Sequence, residues 1–190
     1  MLEKYKIILA SNSPRRKELL GGLELSFEVK TIQGLEESYP AELVEGEIPL
    51  FLARQKASAY DSMIEADTMI ITADTIVWLG DEVMGKPKSR EEAIRMLTKL
   101  AGNTHQVYTG VCVKTAEKEV SFVDRADVTF TQLTPDEIAF YVDKYKPFDK
   151  AGSYGVQEWI GYVAVERIVG SFYNIMGLPV QRLYQALKAF

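Results

Sequence analysis

Three places in the sequence put charged side chains where local physics disfavours them, and together they outline phosphate chemistry. The stretch "SNSPRRKELLGG" runs from Ser11 to Gly22 directly after the apolar run "KIILA". Ser13 is a good N-cap, Pro14 a good first helical residue, and Gly21 and Gly22 supply a stop. First-turn N–H groups have no partner inside a helix, and the positive end of the dipole lies there, where Asp or Glu is favoured. Arg15 and Arg16 add positive charge to that positive end, which is unfavourable unless an anion binds, and phosphate is the obvious anion. A solvated arginine pair, or a phosphorylation site in "SPRR", is the competing reading.

Lys56 is the second anomaly. On a helix Ile48–Ile64 at about 100° per residue, Leu52, Ala53, Ala57, Ala59, Tyr60, Met63 and Ile64 share one half, and Lys56 lies among them. Phe51 is an apolar exception on the other half. A buried ammonium is costly unless paired, so either the amine snorkels to water or it is aimed into a cleft that holds anions. Asp74 is the third, inside "MIITADTIVWL", a nearly continuous apolar and β-branched run that reads as a central strand buried on both faces. A carboxylate there needs a partner, a metal or an opening, or else bonds nearby backbone amides. Lys86 in "MGKPK" adds a weaker clue: Pro87 biases it toward extended backbone that projects its side chain outward, and taken alone a surface lysine is the better reading. Cations with a carboxylate suit phosphate, and oxygen ligands suit Mg²⁺ or Mn²⁺.

The elements that must carry these residues alternate in type. Strands are expected over 4–10, 26–32 and 67–79, with a tight turn at "GDE" into a short return strand, then over 104–115, 119–132 and "YVAVERIV". Helices are expected over 14–20, 48–64, 89–101, from Thr134 onward, and over 180–190. Ser89 with Glu92 and Thr134 with Glu137 each read as a capping box, and "AGSYGVQEWIG" as a Gly-rich loop with strand character at its end. Helices and strands interleave while adjacent strands also pair directly, so the expected class is α/β with a mixed sheet, in a single domain over 1–190.

Composition removes other chemistries. A net charge of −5 speaks against broad nucleic-acid or membrane-surface binding, so a basic site must be a local concentration of charge. No apolar run reaches the ~18 residues of a membrane span, and the opening residues lack a signal-peptide pattern, so the chain reads as cytoplasmic. The single cysteine, Cys112, sits in an alternating run and reads as a small core residue. The single histidine, His105, begins a strand and reads as structural, and with one of each a zinc site is disfavoured. The phosphate-binding G-x-x-x-x-G-K-[ST], the dinucleotide-binding G-x-G-x-x-G and the hydrolase G-x-S-x-G are all missing.

Taken in order, "ILASNSPRRKELL", "LARQKA", "TADTIV", "GKPKSREEA", "THQVYTGV", "FDKAGSYGVQ" and "VERIVGSFYNIMGLP" resemble the Maf family of nucleoside triphosphate pyrophosphatases over nearly the whole chain. The resemblance implies a twisted mixed sheet flanked by helices, two lobes around a deep cleft, and a homodimer as a common state. It implies metal-dependent hydrolysis of a nucleoside triphosphate to the monophosphate and pyrophosphate. By position, the family's functional residues fall on Ser11, Arg15, Arg16, Glu37, Lys56, Asp74, Lys86 and Gln157, with Glu37 and Asp74 holding the metal and Asp74 accepting the proton. Positions tied to base choice correspond to Arg15, Thr75 and Gln157, and "SYGVQ" resembles the dTTP/UTP branch rather than the branch acting on 7-methyl-GTP. A glutamine amide offers the acceptor and donor that match the N3–H and O4 edge of uracil or thymine. Glu158 and Trp159 depart from the pattern, since many relatives carry a glycine soon after the glutamine; Trp159 either stacks on a base or packs in the core. The alternatives are the same chemistry on modified nucleotides, a non-catalytic nucleotide sensor regulating cell division, and a nucleic-acid-binding regulator, which the acidic charge disfavours.

Overall fold

A computed structural model describes residues 2–190. The strands are β1 (Lys6–Leu9), β2 (Phe27–Val29), β3 (Thr68–Leu79), β4 (Glu82–Met84), β5 (Thr104–Lys114), β6 (Glu119–Phe130) and β7 (Val165–Val169). The helices are α1 (Pro14–Gly21), α2 (Glu47–Ser58), α3 (Arg90–Leu100), α4 (Pro135–Tyr145), α5 (Trp159–Val163), α6 (Phe172–Met176) and α7 (Val180–Leu187), with short 3₁₀ turns at Leu2–Lys4, Asp61–Met63 and Ala151–Ser153.

The strands form one seven-stranded sheet in the order β2-β1-β3-β5-β6-β7, with β4 paired to the end of β3. It is mixed as expected: β1 runs parallel to β2 and β3, while β4 is antiparallel to β3 and β7 to β6. β3 earns its central place through sequence, since Met69, Ile70, Ile71, Thr72 and Ala73 are all buried and β-branched or apolar.

The chain divides into two compact units, and it passes between them within β3, β5 and β6 and once more after α6. The first takes the chain up to Asp74, Thr109–Asp124 and Gly177–Phe190. Ile8, Tyr60 and Ile70 form one buried cluster there, and Ala53, Ala57 and Cys112 another. α2 lies hard against β5: a Cβ on Gly110 would stand 2.3 Å from the Pro49 backbone, so only glycine fits. Burial pushes the Cys112 thiol up to about 12, consistent with a core role. The second unit takes Thr75–Tyr108 and Arg125–Met176, and its core packs Val77, Leu97, Leu100, Phe130, Tyr141 and Ile160 together. His105 is buried there, its Nε2 2.7 Å from the Tyr154 hydroxyl and its ring edge-on to Phe130.

Several expected boundaries move for identifiable reasons. The helix expected over 48–64 ends at Ser58, because Tyr60 turns inward, donating its hydroxyl to the Lys30 carbonyl and accepting from the Ile32 N–H. Ser89 caps α3 through the Glu92 N–H, but the Glu92 carboxylate accepts from the Lys88 N–H at 2.7 Å, so the reciprocal half of that box is absent. The Thr134–Glu137 box is complete. The strand character expected after "SYGVQ" is instead α5, and β7 starts only at Val165. Glycine at 161 decides this, since its missing side chain lets α5 fold back onto the Val156 carbonyl. α6 was not anticipated by any sequence signal.

Candidate active site

The first unit assembles a charged cluster from three elements and a loop. α1 begins as expected: Ser13 accepts from the Arg16 N–H, Pro14 opens the helix, and no acidic residue lies in the first turn. Ser11 supports this entrance, its Oγ accepting from the Ser13 N–H at 3.2 Å. Arg16 then reaches back to donate Nε–H to the Gly177 carbonyl at 2.8 Å, a partner from the far end of the chain. Burial pushes the Arg16 guanidinium below its ordinary value, Asp74 pulls it back up, Arg15 pushes it down and Glu37 pulls it up. Those influences place Arg15, Asp74 and Glu37 in the field of one guanidinium.

Lys56 and Asp74, each anomalous in sequence, explain one another. Asp74 stands in β3 with the Lys56 ammonium 2.7 Å from its Oδ1, and the same ammonium lies 2.9 Å from Glu37 Oε1. The amine therefore neither snorkels nor stays bare. Its side chain is 14% exposed and that of Asp74 12%, whereas Glu37, from the irregular loop between β2 and α2, is 54% exposed. One ammonium thus gathers two carboxylates, while Arg15 and Arg16 add positive charge beside them.

These residues suit a divalent cation. Two carboxylates within reach of a single cation are hard oxygen donors, which Mg²⁺ and Mn²⁺ favour, and Lys56 occupies the position of shared counter-charge. Among the described residues no group of three or more His, Cys, Asp or Glu side chains is placed to hold a metal ion by itself. A dication here would complete its shell with water and phosphate oxygens, the usual habit of Mg²⁺.

In the second unit, Thr75 follows Asp74 along β3 and is half-buried. Lys86 is exposed after β4, and its neighbour Gly85 accepts from the Gly152 N–H at 3.1 Å, tying the Lys86 loop to the segment that leads to Gln157. Gln157 is half-buried, and its Oε1 is buried with no hydrogen-bond partner. The departures from the family pattern have structural work: Trp159 packs edge-on against Phe140 with centroids 4.9 Å apart, and Glu158 accepts from the Tyr141 hydroxyl and pairs with Lys150. Trp159 is thereby a packing residue. Two contributors carry no sequence signal of their role: the Gly177 carbonyl, marked only by a glycine before "LP", and the joining of Glu158 to Tyr141 and Lys150, which local spacing does not encode.

Residues 6–190 match the family described as Maf-like protein, and the chain belongs to that family. It is 59% identical over 189 residues to a dTTP/UTP pyrophosphatase of Parabacteroides distasonis, covering 100% of this chain and 98% of that protein. It is 58% identical over 187 residues to one of Bacteroides thetaiotaomicron, covering 98% and 97%, and 54% identical over 191 residues to one of Porphyromonas gingivalis, covering 100% and 96%. A HAM1 protein from Coxiella burnetii shares the fold, with a TM-score of 0.53 at 14% identity across 98% of this chain and all of that one. Among the described residues no helix is long and apolar enough to cross a membrane.

Proposed function

We propose that this protein hydrolyses dTTP and UTP to the monophosphate and pyrophosphate. The observation that carries the reading is the Glu37–Lys56–Asp74 cluster, two carboxylates gathered by one ammonium beside Arg16 in a chain whose whole-length relatives are named dTTP/UTP pyrophosphatases. The Asp74 carboxylate accepts a proton from a water that attacks the α-phosphorus. The new P–O bond forms as the bond to the bridging oxygen breaks, and that oxygen leaves with its electron pair as pyrophosphate. Arg15, Arg16, Lys56 and Lys86, with the α1 first-turn amides and Ser11, bind the β- and γ-phosphates and stabilise charge on the leaving group. Glu37 and Asp74 would hold Mg²⁺ or Mn²⁺, which neutralises phosphate charge and makes the α-phosphorus more electrophilic.

Gln157 reads the base, with Thr75 and Arg15 contributing to base choice. Its partnerless buried Oε1 is an acceptor suited to a pyrimidine N3–H, and a buried acceptor left unmade is costly. On this reading the protein is a cytoplasmic homodimer that clears unwanted nucleotides. Incubation with a panel of common and modified triphosphates and Mg²⁺, scoring pyrophosphate against orthophosphate, tests the activity. Pyrophosphate and monophosphate from dTTP and UTP are expected. Intact triphosphate at saturating binding would make it a nucleotide sensor, orthophosphate would move the cleavage to another bond, and preference for 7-methyl-GTP would overturn the base assignment. Light scattering tests the dimer.

A further inference from the structure

We infer that Tyr141, Lys150 and Glu158 are positioning residues that fix the turn carrying Gln157 and so set the base preference; this rests on Gln157 reading the base. The turn spans residues 155–158 and is closed by the Glu158 N–H donating to the Gly155 carbonyl at 3.0 Å, with Gln157 the third of its four residues. Tyr141 of α4 clamps both ends. Its hydroxyl accepts from the Gly155 N–H at 2.9 Å and donates to Glu158 Oε2 at 3.0 Å. Lys150 holds the other oxygen, Oε1, at 3.0 Å.

The clamp is rigid. The Tyr141 ring is fully buried and stacks on Tyr145 with centroids 5.1 Å apart, and the Lys150 and Glu158 side chains are 12% and 17% exposed. Both carboxylate oxygens and the hydroxyl are thereby engaged. Behind the turn, α5 packs so closely that only glycine fits at 161 against the Val156 carbonyl. The one side-chain polar atom the arrangement leaves buried and partnerless on this turn is Gln157 Oε1. A network that engages the Tyr141 hydroxyl and both Glu158 oxygens while orphaning one acceptor defines where that acceptor is held. A preorganised amide discriminates bases; a mobile one can rotate to present donor or acceptor to either edge.

The test is Tyr141→Phe, which removes only the hydroxyl, with Glu158→Gln as a second variant and Gln157→Ala as reference. The ratio of kcat/KM for UTP over CTP is measured for each with its KM and kcat parts, together with thermal stability. Loss of one well-placed hydrogen bond predicts that Tyr141→Phe lowers the ratio by about tenfold, more through KM for UTP than through kcat. Tyr141→Phe added to Gln157→Ala should lower it no further. A ratio preserved in Tyr141→Phe but lost in Gln157→Ala overturns the positioning role and leaves the base reading standing. A ratio preserved in Gln157→Ala overturns both. Lowered stability with unchanged ratio and KM in both clamp variants reduces the network to scaffold and overturns the inference.

Discussion

Lys56→Met is the most informative single change, because the ammonium holds two carboxylates in the fold and, in the proposed reaction, also stabilises charge on the leaving group, and the two jobs separate in experiment. The side chain bridges Asp74 at 2.7 Å and Glu37 at 2.9 Å. Removing one partner of a buried pair costs about 3–5 kcal/mol. Here the cost is smaller: Glu37 is 54% exposed and regains water when released, and Asp74 keeps the attraction of Arg16. A loss of about 2 kcal/mol is expected, close to that of one charge-assisted hydrogen bond. For a chain of this length, that lowers Tm by about 4–8 °C. Turnover should fall by ~10²–10³-fold, the usual effect of deleting one preorganised group that stabilises a developing negative charge. Thermal melts and steady-state kinetics with dTTP read the two effects. The double variant Lys56→Met with Asp74→Asn should recover part of the stability, having no buried carboxylate left bare, and none of the activity. Unchanged or raised stability in Lys56→Met, with turnover within about threefold of wild type, would make the lysine a tolerated surface residue and remove the cluster from the chemistry.

Asp74→Asn should lower turnover by ~10²–10⁴-fold, the range for loss of a general base, while nucleotide binding by calorimetry stays measurable; near-normal turnover would remove Asp74 from that role. His105 gives a pH dependence. Burial depresses it from 6.5 to about 4, so the unfolded chain takes up a proton before the folded one does, and the contribution is complete above pH 6.5 and lost as pH falls toward 4. That amounts to about 3 kcal/mol, and the stability gap between wild type and His105→Asn should narrow across this window in urea melts. Gly161→Ala would place a Cβ 1.8 Å from the Val156 carbonyl oxygen and should destabilise by about 1–3 kcal/mol, with the UTP over CTP ratio falling as the Gln157 turn shifts.

The sequence is most transparent where the deciding physics is local. The α1 entrance was readable because Ser13, Pro14 and the missing first-turn acid act within four residues. The Thr134–Glu137 box was readable for the same reason, while its twin at Ser89 was only half right because Glu92 had a second amide, Lys88, in reach. The length of β3 followed from its apolar run. Reading failed where a distant group decides. The end of α2 depends on where Tyr60 finds Lys30 and Ile32, and α5 replaces a strand because Val156 stands over Gly161. The clamp on Gln157 joins α4 to a loop ten or more residues on, a pairing that periodicity cannot encode.

Anomalies of burial are weaker evidence than they look in sequence, because two of them can cancel. Lys56 and Asp74 are each costly alone, yet as a pair they satisfy one another, and a buried pair by itself is a structural device as readily as a catalytic one. What the pair does not account for is the third and fourth charges. Glu37 reaches the same ammonium from a loop with no regular structure, and at 54% exposure its contact adds little stability. Arg16 bears the cost of burial within the same field, with Arg15 making matters worse. A fold selecting only for stability would dispense with both contributions. Their presence is explained if the cluster is arranged to meet a polyanion: Arg15, Arg16 and Lys56 supply positive charge in excess of what the fold needs, and Glu37 and Asp74 are the residues that would hold a divalent cation beside it.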